Sequence, residues 1–219
     1  MANRAPDAKT APEAPKLPRD LPELPLPAGI PTEESFRRGI MSSGAIEEQA
    51  ASRVSFDEIV FRNVTFSRNA FAELEMTDVL FDKCDLSNAD FARANVHRAV
   101  FRNCKIMGLD LSEATLRNVL FEGCSGDYAN FRFADLKRVS FQACALRQAD
   151  FYSAKFEKVA FGQSDLDRAQ LSGTKLAGVD LSDCEFMQLG VEADNLQGCI
   201  ISAGQAAVFA NLFGLIIKE

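Results

Sequence analysis

From Phe56 to Ile201 an apolar residue returns at every fifth position. The centres run Phe56, Phe61, Phe66, Phe71, Met76, Phe81, Leu86, Phe91 and onward to Val191, Leu196 and Ile201. Of these thirty successive centres only Gly126 is not a large apolar residue. An α-helix repeats at about 3.6 residues and a half-buried strand at about 2, so neither would hold this phase. A fixed short period over such a length predicts a solenoid, whose turns bury their apolar side against one another.

Two residues before each centre stands a small or β-branched residue, and every twentieth of these is alike. One such column is Cys84, Cys104, Cys124, Cys144, Ser164 and Cys184, and another is Val79, Ala99, Val119, Val139, Val159 and Val179. The centres agree, because Phe61, Phe81, Phe101, Phe121, Phe141 and Phe161 form one unbroken column. Four pentads therefore close one turn, and the expected fold class is an all-β solenoid. At a strand spacing of about 4.8 Å, roughly seven turns make a rod about 35 Å long.

The segments Ala89-Asp90-Phe91-Ala92-Arg93, Ala134-Asp135-Leu136-Lys137-Arg138 and Ala149-Asp150-Phe151-Tyr152-Ser153 resemble the A-(D/N)-(L/F)-x-x unit of the pentapeptide-repeat family. The resemblance spans about two thirds of the chain. It implies a right-handed quadrilateral β-helix. It also brings in the quinolone- and toxin-resistance members, which imitate duplex DNA, engage DNA gyrase or another type II topoisomerase, and dimerise through a C-terminal helix and tail. A homodimer and a topoisomerase partner are what that likeness implies here. A structural or regulatory scaffold for another protein partner is the other reading.

The flanks differ in composition from the repeat. Residues 1–31 hold all eight prolines of the chain. Proline removes a backbone donor, so this leader is expected to be disordered or extended. Leu17, Leu21, Leu24, Leu26 and Ile30 nevertheless suit an apolar groove. Residues 32–50 read as one or two short helices capping the first turn, with Thr32, Glu33 and Glu34 at their start. Residues 51–201 make the repeat domain. From Ser202 a Ser-Ala-Gly-Gln capping box opens a helix through Phe213, Gly214 ends it, and Leu215–Ile217 read as a short strand. This 202–219 module carries Val208, Phe209, Leu212, Phe213, Leu215, Ile216 and Ile217, more apolar surface than a cap needs. These seven residues are the expected dimer interface.

Composition and candidate chemistry narrow the function. A net charge of −7 argues against direct binding of nucleic acid. No apolar run reaches the length of a membrane span or a secretory signal, so a cytoplasmic protein is expected. All six cysteines occupy the inward site two residues before a centre. Their stacking distance of about 4.8 Å exceeds what a disulfide spans between Cβ atoms, and no zinc-type spacing is present, so free buried thiols are expected. His97 is the sole histidine, placed outward at a corner without a triad or paired carboxylates. Asp90, Asp110, Asp135, Asp150, Asp165 and Asp180 precede centres and read as turn-bonding residues. No catalysis, metal or cofactor is expected. Gly126 should leave a gap between Ile106 and Leu146, while Asn69 and Asp194 interrupt the small-apolar row.

Two surface features suggest where a partner would dock. The side centred on Val96, Leu116, Leu136, Phe156 and Leu176 carries the basic residues Arg98, Arg117, Lys137, Arg138 and Lys158. The next side shows Val60, Leu80, Val100 and Leu120 just before the phenylalanine column, where outward polar residues belong. Together these nine residues form the candidate partner surface. Such an apolar strip needs a cover, so part of Leu17–Ile46 is expected to pack along it, and a partner would take it otherwise.

Overall fold

A computed structural model describes residues 11–216. Residue i pairs with residue i+20 in parallel throughout, as in Phe61 with Phe81, Phe81 with Phe101 and Phe101 with Phe121. One sheet stacks β1 (Ser35–Glu47), β3 (Ser55–Ser67), β5 (Glu75–Asp82), β6 (Asn95–Arg102), β7 (Thr115–Glu122), β8 (Asp135–Gln142) and β10 (Ala160–Gly162), with β9 (Lys155–Glu157) also on β8. A second, small sheet pairs β2 (Ala50–Ser52) with β4 (Ala70–Ala72). The other two sides are held by single bridges at each turn, such as Asp85 to Lys105 and Asp90 to Asp110.

The corners explain the number five. From Glu33 to Gly178 every fifth residue, two after each centre, has positive φ, and only Gly108, Gly123, Gly173 and Gly178 among them are glycine. A left-handed residue with a side chain costs roughly 1–2 kcal/mol. The corner N–H groups offset this by bonding to the next turn, as Asn88 N–H does to the Met107 carbonyl (2.8 Å) and Arg93 N–H to that of Ser112 (2.8 Å). One backbone bond per corner thus ties each turn to its neighbour.

Inside, the phenylalanine column stacks ring on ring, with centroids 4.8 Å apart for Phe81–Phe101, 4.7 Å for Phe101–Phe121 and 4.9 Å for Phe121–Phe141. A second column pairs Phe131 with Phe151 at 4.8 Å. The expected void at Gly126 is not there. A Cβ on that residue would come within 2.9 Å of Ile106 and 3.1 Å of Leu146, so these neighbours have closed over the missing side chain.

The expected helical cap over residues 32–50 is corrected. These residues form β1 and β2 and make a full first turn of the solenoid. The reason is register: Phe36, Met41, Ile46 and Ala51 extend the five-residue phase backward, and Phe36 stacks on Phe56 at 5.4 Å. Gly39 and Gly44 lie within β1. They occupy the small-residue sites two before Met41 and Ile46.

The leader is likewise ordered from residue 11 onward, not free. Leu24 N–H donates to the Ile40 carbonyl (2.7 Å), and Ile40 N–H donates to the Pro22 carbonyl (2.8 Å). Leu24 and Leu26 fill the spaces left by Gly39 and Gly44, where any Cβ would strike them, and Ile30 enters the core. The segment therefore closes the first turn's strand edge, which would otherwise invite pairing with another chain.

Candidate protein-binding surfaces

Upstream of this plug the leader runs down the outside of the rod, along the corner between the basic side and the phenylalanine-column side. Lys16 N–H donates to Asp78 Oδ1 (2.8 Å) and Glu13 N–H to Asn118 Oδ1 (3.2 Å), while Arg138 lies 3.4 Å from the Glu13 carboxylate. Asp78, Asn118 and Arg138 each stand two residues before a member of the outward column Leu80, Leu120 and Ser140. Val60 and Val100 are only 3% and 7% exposed, yet they are not part of the interior cluster. They are covered from outside. Leu80 and Leu120 are half-buried, as are Leu17 and Leu21. Val60 and Val100 are thus shielded within the chain and not open to a partner, and the leader reaches this corner through Glu13 and Lys16, just upstream of the Leu17–Ile46 span expected to cover it.

One ion pair anchors this arrangement. Arg98 grips Asp78 with two bonds, Nε to Oδ1 and Nη2 to Oδ2, both 2.6 Å. Burial alone would raise the Asp78 pKa. The bonds from Arg98 and the Lys16 N–H, with the Arg98 charge, outweigh it and hold the carboxyl below its ordinary value. His97, beside Arg98, is pushed down by burial and by that guanidinium, so it favours the neutral form. The link from Asp78 to the leader was missed in the sequence. Its only sign was an acid and a base twenty residues apart, one turn from each other.

The basic residues predicted as a partner surface are mostly neutralised by carboxylates. Arg117 meets Asp135 at 2.8 Å, Lys137 meets Glu157 at 2.8 Å, and Arg98 and Arg138 are paired as above. Lys158 is exposed at its corner. Four of the five bases thus meet a carboxylate, so the side presents pairs and not a continuous positive field.

Reactive groups are placed for structure. Cys84, Cys104, Cys124, Cys144 and Cys184 are buried and unbridged, and Cys199 is partly buried. Each of the five buried thiols donates to the carbonyl of a phenylalanine twenty-three residues earlier, as Cys124 Sγ does to Phe101 (3.3 Å). Burial pushes the Cys184 thiol up to about 12, far from the thiolate a nucleophile needs. Asp90, Asp110, Asp150, Asp165 and Asp180 each accept the N–H two residues onward, at 2.8–3.0 Å, which is the expected turn role. Asn69 interrupts its row to serve the backbone: its Nδ2 donates to the Ile46 carbonyl and its Oδ1 accepts Gln49 N–H. Among the described residues no group of three His, Cys, Asp or Glu side chains is placed to hold a metal ion, and no helix is long and apolar enough to cross a membrane.

Comparison with known sequences agrees with this geometry. The description "Pentapeptide repeat region" matches residues 74–151 and "Pentapeptide repeats (8 copies)" matches residues 144–183, together half of the chain. The chain belongs to the pentapeptide-repeat family. No curated protein sequence matches it. Among solved structures it is similar to HetL, a pentapeptide repeat protein involved in heterocyst differentiation regulation in the cyanobacterium Nostoc sp. strain PCC 7120. That match has 20% identity, covers 78% of this chain and 86% of HetL, and has a TM-score of 0.63. Full-length QnrB1, a plasmid-mediated fluoroquinolone resistance protein, matches at 17% identity over 81% of this chain and all of QnrB1, with a TM-score of 0.42. Rfr23 of the cyanobacterium Cyanothece 51142 matches at 22% identity over 49% of this chain and 64% of its own, with a TM-score of 0.25.

The C-terminal end of this pentapeptide-repeat protein is finished differently from its N-terminal end. A 3-10 turn at Ala203–Gln205 leads into α1 (Ala206–Ala210) and a second 3-10 turn at Asn211–Phe213. Gln205 completes the cap. Its Oε1 accepts Ser202 N–H, and its Nε2 donates to the Leu181 and Cys184 carbonyls, all at 2.8 Å. Phe209 packs edge-on against Phe186 at 5.9 Å and Val208 joins the core, so these two predicted interface residues serve the cap. Leu212, Phe213, Leu215 and Ile216 stay exposed, Ile216 at 89%. The strand expected at Leu215–Ile217 is not formed by Leu215 and Ile216, which follow the Gly214 turn without a pairing edge, and Ile217 lies outside the described residues.

Proposed function

We propose that this protein is a non-enzymatic, cytoplasmic protein-binding rod that works as a homodimer through Leu212, Phe213, Leu215 and Ile216. The observation that carries the reading is the leader. A proline-rich segment bonds through its backbone to Asp78 and Asn118, at the corner beside an apolar strip, so the surface of the rod is suited to receiving polypeptide. The buried, hydrogen-bonded thiols and turn-bonded aspartates support a scaffold in preference to an enzyme. Four exposed apolar side chains within five residues favour a second copy as the occupant of the C-terminal end. Light scattering of the full chain tests this, and a monomer at micromolar concentration would overturn the dimer.

A type II topoisomerase is the partner we favour. Its support is the charge of the two sides away from the leader, where Asp85, Asp90, Asp110, Glu113, Asp127, Asp150, Asp165 and Asp167 outnumber the bases. Acidic sides of a narrow rod suit a surface built for duplex DNA. A gyrase supercoiling assay with the purified protein decides it. Inhibition, or protection from quinolone poisoning, is expected, and the absence of both leaves the rod with another protein partner.

A further inference from the structure

Of the 26 residues other than glycine with positive φ among the described residues, only Tyr128 and Phe133 are aromatic, and they stand at consecutive corners of one turn. A bulky side chain in this conformation is a backbone cost that no core contact offsets, because the rings are 56% and 50% exposed. The same columns one turn onward hold Gln148 and Ser153. Between the two corners lies a side already arranged around a guanidinium. The Arg132 guanidinium carbon sits 4.6 Å from the Tyr152 ring centre and 5.4 Å from that of Phe133, and Nη1 reaches Asp150 at 2.9 Å. Phe133 and Tyr152 meet edge to face at 5.6 Å, and Gln148 Nε2 holds the Tyr128 hydroxyl at 2.9 Å. One turn before stand Asp110 and Glu113, which form no ion pair among the described residues.

We propose that this patch is a docking site for an arginine-bearing segment of a protein partner. Tyr128 and Phe133 offer ring faces to incoming guanidinium groups, and Asp110 and Glu113 supply the opposing charge. Arg132 displays the same recognition within the chain. Arginine is the fitting cation, because its planar group stacks on aromatic rings where the ammonium of lysine does not. The site rests on the reading of the rod as a protein-binding scaffold and assigns the chemistry of one contact.

The chain has no tryptophan, and both of its tyrosines belong to this patch, so tyrosine emission reports on it alone. Full-length protein is titrated with hexa-arginine and, separately, with hexalysine, followed by emission and calorimetry. Hexa-arginine is expected to change the emission and to bind about fivefold more tightly than hexalysine, the effect of one or two exposed ring–cation contacts. Phe133→Ser, and the pair Tyr128→Gln with Phe133→Ser followed by calorimetry, should abolish that preference and leave hexalysine binding unchanged. Both substitutions copy the next turn's residues, so an unaltered melting temperature is expected. Equal binding of the two peptides, or an arginine preference that survives the double substitution, overturns the site. Its loss with dimer and topoisomerase effects intact would overturn this site alone, whereas a monomeric rod without topoisomerase effect that keeps the arginine preference would overturn only the wider reading.

Discussion

The two ends of the rod solve one problem in opposite ways. At the N-terminal end the chain doubles back: residues 22–30 plug the first turn, and Glu13 and Lys16 bond to the corner beside the outer strip, where Val60 and Val100 are almost wholly buried. At the C-terminal end α1 places Phe209 beneath the last turns and then leaves Leu212, Phe213, Leu215 and Ile216 in water. A solenoid must cover both of its strand edges. Here both ends are capped within the chain, but the C-terminal one also leaves Leu212, Phe213, Leu215 and Ile216 exposed. The difference teaches that an end can be capped while apolar side chains next to the cap stay exposed.

Removing the N-terminal solution should do the most damage. A chain beginning at Pro31 loses the half-burial of four leucines and the core position of Ile30, and uncovers the strip. The expected loss is on the order of 5 kcal/mol, with aggregation, read by chemical denaturation and light scattering. A shortened chain of full stability would mean the leader rests on the rod without supporting it.

Asp78→Asn is next. It leaves Arg98 without a charge partner and weakens the hold on Lys16, with an expected cost of roughly 3 kcal/mol. Faster hydrogen exchange around residues 13–24 should accompany it. Acid should act similarly. The Asp78 pKa is lower in the folded chain than the ordinary 3.8, so its stabilisation is complete above that value. It is lost as the pH falls through the depressed one. Leader protection should therefore persist at pH 5 and decline below about pH 4.

Gly39→Ala sharpens the comparison without truncation. The added methyl meets Leu24, the side chain that fills the notch, so the plug must shift. An expected loss of about 2 kcal/mol should appear together with faster exchange at residues 22–26. A neutral Gly39→Ala would show that Leu24 can move aside freely. The smallest effect belongs to the other end. Leu212→Glu with Ile216→Glu should change rod stability by no more than about 0.5 kcal/mol while converting the dimer to a monomer in light scattering. A large loss of stability would make these residues part of the cap after all.

Much of the interior was legible from the chain. The centres Phe61 to Phe161 and the column Cys84 to Cys184 could be placed because stacking joins residues twenty apart, and like residues recur where their surroundings are identical. Residues 32–50 were misread as helix because Thr32, Glu33 and Glu34 suit a helix start, although Phe36, Met41 and Ile46 already hold the five-residue phase. Gly126 was misread as a void, since a count of side chains does not show Ile106 and Leu146 closing over it. Among the candidate surface residues, Arg98 and Arg138 could be placed on one corner, with Asp78 one turn before Arg98, but Glu13 could not. Glu13 is 125 residues from Arg138, outside any repeat.

The sequence by itself determined the solenoid, its twenty-residue turn, its buried columns and the outward direction of Val60, Leu80, Val100 and Leu120, because a repeat makes every turn's environment the same. Only the tertiary structure decided what shields that strip, how each end of the rod is closed, and that two consecutive corners hold Tyr128 and Phe133 around Arg132. Those contacts lie outside the period or across its turns, where no local pattern signals them and only the folded chain brings the groups together.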